Sequence, residues 1–198
     1  MASNDTAGAE YAERLRRLEG VWWKRLLNVQ APYRWNLRRL SLGRTLDVGC
    51  GIGRNLINLG PDSVGVDHNP DSIAIARERG LRAYTVEEFL SSEYAKPDAF
   101  DAIVCAHVVE HMPEQDARKV VGMYLPYLKS GGRVLFITPQ EKGYASDHTH
   151  VRFCGFDEVG ALARDLGLTV QKQYSFPLGR WAGKAFTYNE FNVLAGKP

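Results

Sequence analysis

The stretch TLDVGCGIGRNL, residues 45–56, constrains the fold of this chain more than any other. It packs Gly49, Gly51 and Gly53 into five positions directly behind an apolar run that reads as a buried strand. Glycine takes positive φ and lets a ligand touch the backbone, and the start of a helix offers unpaired N–H groups. The turn is therefore expected to join a strand to a helix beginning near Gly53, and to form a pocket for a polar or anionic group. Two departures from the dinucleotide fingerprint narrow the ligand. The pattern G-x-G-x-x-G asks for glycine where this chain has Arg54, and Asp47 stands two residues before the first glycine. That carboxylate would repel a pyrophosphate, whereas a cationic or zwitterionic ligand tolerates it. The next strand ends in GVDHNP, with Asp67 18 residues after Gly49, where an acid can accept hydrogen bonds from ribose hydroxyls. Taken singly, the glycines also fit a tight turn without a ligand, and Asp67 a helix cap.

Strands and helices alternate from there on. RTLDVG and SVGVD read as short buried strands, and NPDSIAIARERG as a helix capped at Asn69 or Asp71, with Pro70 in its first turn and Gly80 past its end. LRAYTV is a third strand, EEFLSSEY a short helix, FDAIVCAHV a fourth strand, MPEQDARKVVGMYLPYLKSG a helix stopped at Gly131, and GRVLFITP a fifth strand. DEVGALARDLG is a helix, LTVQKQYSF a sixth strand and AFTYNEFNVLAG a seventh, with the alternation of a sheet edge. Helices between strands imply parallel pairing with helices on both faces, an α/β fold. Ahead of the sheet, residues 1–9 are small and polar and are expected to be disordered. Residues 10–30 place Leu15, Leu18, Trp22, Leu26 and Val29 at helical spacing, and YRWNLRRLS gives a second short helix. One domain is expected over residues 10–198: helices in 10–43, a ligand-binding core in 44–140, and a substrate loop with the last strands in 141–198.

Charge and cysteine usage exclude several classes. Lys and Arg number 25 against 23 Asp and Glu, a net +2, far from the basic field on which nucleic-acid affinity rests. Cys50, Cys105 and Cys154 are odd in number and widely spaced, so neither a disulfide framework nor a zinc-finger pattern is expected. No window approaches the length of a membrane span and the first residues carry no apolar signal core, so the expectation is a cytoplasmic protein. Oligomeric state is not legible at this level.

Four motifs in order, TLDVGCGIGRNL, GVDHNP, FDAIVCAHVVEHM and LKSGGRVLFITP, resemble the class I S-adenosylmethionine-dependent methyltransferases. The resemblance covers residues 44–140 closely and extends loosely to 198 through FCGFDEVGALARDLGLTV. It implies a Rossmann-like seven-stranded sheet of order 3-2-1-4-5-7-6 with strand 7 antiparallel. It also implies S-adenosylmethionine as cofactor and S-adenosylhomocysteine as product. Carried over by position, Asp47 and the backbone of Gly49, Cys50, Gly51 and Gly53 would face the methionine part. Asp67 would face the ribose, His68 would flank the adenine, and Ala106 and His107 would line the sulfonium end. Where relatives carry an acid after the third strand this chain has Val86, so Glu87 or its backbone would substitute.

Methyl transfer from a sulfonium is an in-line displacement, which asks the protein to align donor and acceptor and, for a hydroxyl, to supply a base. HVVEHM offers His107, Glu110 and His111 at the end of the fourth strand. His111 resembles a histidine common in the family whatever the substrate, so a base and a loop-holding residue are equally open readings for it. SDHTHVRF offers Asp147, His148 and His150 in the connection after strand 5, where the family builds substrate pockets. His150 is the preferred base, with Asp147 assisting; a polar surface loop is the alternative. A divalent metal held by Asp147, His148, His150 and Glu110 is a further reading, although nothing in the spacing fixes a geometry. Trp22, Trp23, Tyr33, Trp35, Trp181 and Tyr188 supply flat apolar faces with a polar edge, suited to a stacked sugar or to packing the helix on the sheet. Arg34, Arg152 and Arg180 could grip an acidic acceptor. The segments RWAGKAFTYNEFNVLAGKP and APYRWNLRRL are similar to actinobacterial polysaccharide methyltransferases of the methylmannose type, which implies a sugar or oligosaccharide hydroxyl as acceptor. Rival expectations are a natural-product hydroxyl or carboxylate as acceptor, and a cofactor-binding regulator without turnover.

Overall fold

The computed structural model describes residues 30–198. The expected tail over 1–9, most of the expected helix over 10–30, and Trp22 with it, lie outside the described residues. The described chain divides between Ala95 and Lys96 into two compact units. Its seven strands follow the order β3-β2-β1-β4-β5-β7-β6, as the four motifs implied.

The unit ending at Ala95 opens with α1 (Ala31–Arg39), followed by β1 (Thr45–Val48), β2 (Val64–Asp67), α2 (Pro70–Glu78), β3 (Ala83–Thr85) and α3 (Val86–Leu90). β1 pairs parallel with β2, and β2 with β3. Every residue of β1 and β2 is buried, the pattern of parallel strands covered on both faces, and this burial includes the two acids Asp47 and Asp67. α2 starts where the sequence places it. The Asn69 side chain accepts from the N–H groups of Asp71 and Ser72, Pro70 takes the first helical position, and Gly80 follows at φ +76°. α3 carries a capping box between Thr85 and Glu88.

The helix expected from Gly53 onward does not form. Residues 51–55 run as turns, and a single 3₁₀ turn, Leu56–Asn58, follows. Only a few residues separate Gly53 from Gly60 and Pro61. Of the apolar side chains there, Leu56 is buried while Ile57 lies in solvent, so the segment has no continuous apolar face to fold against the sheet. What packs beneath the turn is Cys50, together with Leu56, Ile73, Ala76 and Ala83.

Gly65 in β2 makes room for that packing. A Cβ there would stand 2.7 Å from both Cys50 Sγ and Leu56 Cδ2, inside van der Waals contact. Gly65→Ala is therefore expected to destabilise the protein by about 1–3 kcal/mol through overpacking. The readout is a lower urea midpoint with an unchanged m-value; an unaltered midpoint would show that the layer beneath the turn is loose.

The unit from Lys96 onward contains β4 (Phe100–Ala106), α4 (Glu114–Tyr124), β5 (Leu128–Pro139), α5 (Glu141–Tyr144), α6 (Phe156–Asp165), β6 (Thr169–Phe176) and β7 (Glu190–Gly196). β4 and β5 are parallel; β7 runs antiparallel to both β5 and β6. α4 stops at Tyr124 rather than reaching Gly131. Pro126 cannot continue it, a 3₁₀ turn covers Leu125–Tyr127, and β5 already begins at Leu128. The KSGG segment that reads as a helix stop is a register shift inside the strand pair, where Phe100 pairs with Leu128 and Ala102 with Arg133. The seventh strand starts five residues later than expected, because Arg180–Lys184 forms a 3₁₀ turn and 185–189 is irregular. Among the described residues, no helix is long and apolar enough to cross a membrane.

Candidate functional site

The glycine turn takes left-handed backbone at every second residue. Gly49, Gly51 and Gly53 have φ values of +71°, +50° and +83°, which only glycine adopts without strain. Several of the N–H groups expected to face a ligand are committed inside the turn. Gly49 and Cys50 both donate to Val66 O, Gly53 donates to Cys50 O, and Gly51 donates to Asp67 Oδ2 at 2.8 Å. Asp67 Oδ1 accepts from Asn69 N at 2.9 Å. Two backbone donors therefore fix the Asp67 carboxylate in orientation at the end of β2, and each oxygen keeps a further lone pair. His68 is exposed beside it, its Nδ1 3.4 Å from Asp67 Oδ1.

Asp47 lies in the middle of the buried layer, 1% exposed, and its Oδ2 has no hydrogen-bond partner. Burial, then the neighbouring Asp67 charge, raise its carboxyl to about 8, against the opposing hydrogen bond from the Leu56 backbone. The acid is therefore mostly protonated at neutral pH, a state the sequence does not announce. The side chain of Cys50 belongs to the core, and burial holds its thiol well above the usual range, so only its backbone can meet a ligand. Glu87 is exposed in the first turn of α3, whereas its neighbour Glu88 is tied to Thr85 and Arg77.

The unit from Lys96 onward gathers the histidines. Ala106 ends β4, and His107 follows at φ +57°, an unusual conformation for a residue with a side chain. Its Nδ1 is 3.2 Å from Glu110 Oε1 and its Nε2 3.0 Å from Glu190 Oε1. Burial alone would lower the imidazole; the two carboxylates outweigh it and raise it to about 10. His107 is thus a fixed cation at neutral pH and not a base. Glu190 has no signal in the sequence: it reaches His107 only because β7 returns antiparallel against β5, pairing Glu190 with Pro139.

His150 and His111 stand together, ring centroids 4.8 Å apart. His150 Nδ1 lies 2.8 Å from Tyr144 O, and the ring stacks on Tyr144 at an interplanar angle of 12°. A carbonyl can only accept, so Nδ1 carries the proton and Nε2 keeps its lone pair. Asp147 does not sit in the orienting role expected of it at this atom. Its Oδ1 instead accepts from Thr149 N and, at 2.8 Å, from Thr149 Oγ1. That hydroxyl is 3.1 Å from His111 Nδ1, and Thr149 O is 3.2 Å from the same nitrogen. The chain Asp147, Thr149, His111 therefore orients the other histidine and leaves its Nε2 open as well. Burial pushes His111 below the usual histidine range, against the pull of Glu110. The Asp-x-Thr spacing of an Asx turn is the signal that could have revealed Thr149. His148 is exposed and lies outside this pair.

Of the expected acceptor contacts, Trp181 is 79% exposed and Tyr188 52%, both in the connection between β6 and β7. That connection is tied to the end of β5 by Asn189, which donates to Gln140 Oε1 and accepts from Leu178 N. Arg180 is engaged bidentately by Glu141 and is not free to grip an acceptor. Arg152 approaches Glu114 at 3.7 Å, with Nε and Nη2 buried and without a hydrogen-bond partner. Tyr33 lies half-buried on α1 in the other unit.

Comparison with known proteins agrees with this architecture. The chain is 30% identical over 144 residues to the ubiquinone biosynthesis O-methyltransferase of Photorhabdus laumondii, covering 64% of this chain and 59% of that relative. It is 27% identical over 196 residues to the enzyme of the same description from Chromobacterium violaceum, covering 80% and 82%. Among solved structures, a possible histamine N-methyltransferase from Thermotoga maritima superposes with a TM-score of 0.68 at 16% identity, covering 95% of this chain and 98% of that one. Magnesium protoporphyrin IX methyltransferase from Synechocystis, solved with S-adenosylhomocysteine, superposes at 0.66 and 13% identity, covering 98% of both. The family described as "Methyltransferase domain" matches residues 22–173. With that match over most of its length, and with the sheet order that its four motifs implied, the chain belongs to the methyltransferase-domain family of class I S-adenosylmethionine-dependent enzymes.

Proposed function

We propose that this protein is an S-adenosylmethionine-dependent O-methyltransferase acting on a hydroxyl of a small acceptor. The observation that carries the reading is the Asp67 carboxylate, pinned by Gly51 and Asn69 N–H groups beside three glycines of positive φ. The donor set fits the cofactor. Asp67 has lone pairs for the ribose hydroxyls, the glycines leave the backbone uncovered, and the orphaned Oδ2 of Asp47 supplies a buried site for a cation such as the α-ammonium group. His68 and Glu87 flank the same strand ends, and in the other unit Ala106 ends β4 with His107 next to it. When bound, S-adenosylmethionine supplies a methyl group activated by a sulfonium. The chain's part is to hold the acceptor hydroxyl and take up its proton, and the open Nε2 of His150, with His111 behind it, suits that role.

For the acceptor, the exposed faces of Trp181 and Tyr188 support a sugar or oligosaccharide hydroxyl. The relatives described as ubiquinone biosynthesis O-methyltransferases favour a natural-product hydroxyl as a second reading. Calorimetry with S-adenosylmethionine and S-adenosylhomocysteine, followed by S-adenosylhomocysteine release with mannosides and with catechols, tests both. Release with mannosides alone supports the first, release with catechols alone the second, and absence of cofactor binding removes the proposal.

Asp47 gives this reading a proton signature. Its folded carboxyl titrates at about 8 against an ordinary 3.8, so its contribution favours the ligand-free fold below pH 4 and is lost as pH rises toward 8. A cation arriving at Oδ2 favours the carboxylate, so cofactor binding at pH 7 is expected to release close to one proton. Binding enthalpies measured in buffers of different ionisation heat should show that release in the wild type and lose it in Asp47→Asn. Release with both ligands marks the ammonium group as the trigger; release with S-adenosylmethionine alone marks the sulfonium.

A further inference from the structure

Three potential ligands converge, of which Glu110 and His150 were in the expected metal reading and His111 was not. Glu110, His111 and His150 each offer a donor atom, all within 4.8 Å of one another. Asp147 and His148, expected in that role, are outside the group: Asp147 is spent on Thr149, and His148 is exposed.

We propose that Glu110, His111 and His150 form a binding site for one divalent first-row transition-metal ion. The first observation is the Glu110 carboxylate, whose Oε1 faces His107 while its Oε2 is left over. It is fully buried, lies 3.2 Å from His107, and neither carboxylate oxygen has a hydrogen-bond partner. The His107 cation answers Oε1 alone, and a buried carboxylate oxygen left without a partner, as Oε2 is, is costly unless a second cation meets it. The second is the orientation of the imidazoles. Nδ1 of His150 is held by Tyr144 O, and Nδ1 of His111 by Thr149 O and Oγ1, the outer hydrogen bonds that fix the tautomer and direct Nε2 in metal-binding histidines. Asp147 extends this shell behind Thr149.

The donor set decides the metal class. Two imidazoles and one carboxylate suit zinc, manganese, iron or cobalt, whereas magnesium and calcium favour oxygen ligands. Ligand bonds of about 2.0–2.2 Å place donors roughly 3.4 Å apart, so closure asks for about 1 Å of side-chain movement. Three protein ligands leave a position open for an oxygen of the acceptor or for water. An ion there occupies the lone pairs that would otherwise take up a proton. In the loaded protein, coordination would ionise the acceptor hydroxyl and its proton would pass to solvent. That consequence alone rests on the hydroxyl-acceptor reading.

The test reads binding, so it stands apart from methyl transfer. Full-length, untagged protein is stripped with EDTA, returned to chelator-free buffer, and titrated with Zn²⁺ by calorimetry and with Co²⁺ by visible absorption. One ion per chain is expected, with affinity at least 10-fold weaker in Glu110→Gln and in His150→Gln and unchanged in His148→Gln. Circular dichroism checks that each variant folds, and His111→Gln replaces either that does not. No binding to the stripped wild type, or an equal loss in His148→Gln, would overturn the site.

Discussion

Asp67→Ala is expected to weaken S-adenosylhomocysteine binding by about 100-fold or more. Hydrogen bonds to a charged group are worth roughly 1.5–3 kcal/mol each, and the proposal gives this carboxylate two ribose hydroxyls. The substitution also acts within the protein. Gly51 N and Asn69 N both donate to Asp67, and alanine leaves them without an acceptor. Buried backbone donors left unpaired cost about 1–3 kcal/mol each, so the urea midpoint should fall as well. The two effects are separable with Asp67→Asn. An amide oxygen still accepts from one N–H, while its NH₂ opposes the other donor and the charge is gone. Asparagine should therefore recover part of the stability and little of the affinity. Calorimetric titration of the three proteins decides the matter, because unchanged affinity in the folded Asp67→Asn variant would place the ribose elsewhere.

The comparison of Asp47 with Asp67 shows how far residue order can carry a site. Both acids are visible in the sequence, at fixed offsets from the glycines. What each does depends on surroundings that the sequence does not list. Asp67 stands at the end of β2, where the turn and the start of α2 lend it donors, and it is poised as an acceptor. Asp47, 1% exposed and with Oδ2 orphaned, is pushed toward its neutral form. The strand periodicities and Pro, Gly and Asn punctuation placed β1, β2 and α2 because those signals are local. They failed where a local signal competes with packing. Gly53 reads as a helix start, yet too little apolar surface follows it, and KSGG reads as a helix stop, yet lies inside β5. The histidine cluster was legible as an inventory and not as a geometry. His111 lies 38 residues from Thr149 and His107 lies 83 from Glu190, contacts that only the sheet topology creates.

His150→Ala should reduce turnover by about 10²–10⁴-fold while changing cofactor affinity little, the size expected when a positioned proton acceptor is removed. The argument lies in how the ring is held. Tyr144 O fixes Nδ1, the Tyr144 ring stacks on the imidazole, and Nε2 is the nitrogen left for chemistry. Glutamine at 150 preserves bulk without an imidazole lone pair and should be equally inactive, so the loss would not be assigned to a cavity. His148→Ala, at an exposed position of the same loop, is the matched control and should stay within about twofold of the wild type. Thr149→Val reports on the other histidine. It removes the hydroxyl between Asp147 and His111 Nδ1 and should lower kcat with little change in KM, since it disturbs orientation and leaves His150 in place. Added imidazole separates the two uses of the pair. Recovery of His150→Ala turnover by imidazole in chelator-treated protein means that the residue takes up the proton directly. Recovery only after Zn²⁺ is supplied with the imidazole means that it serves as a ligand, and that coordination ionises the hydroxyl.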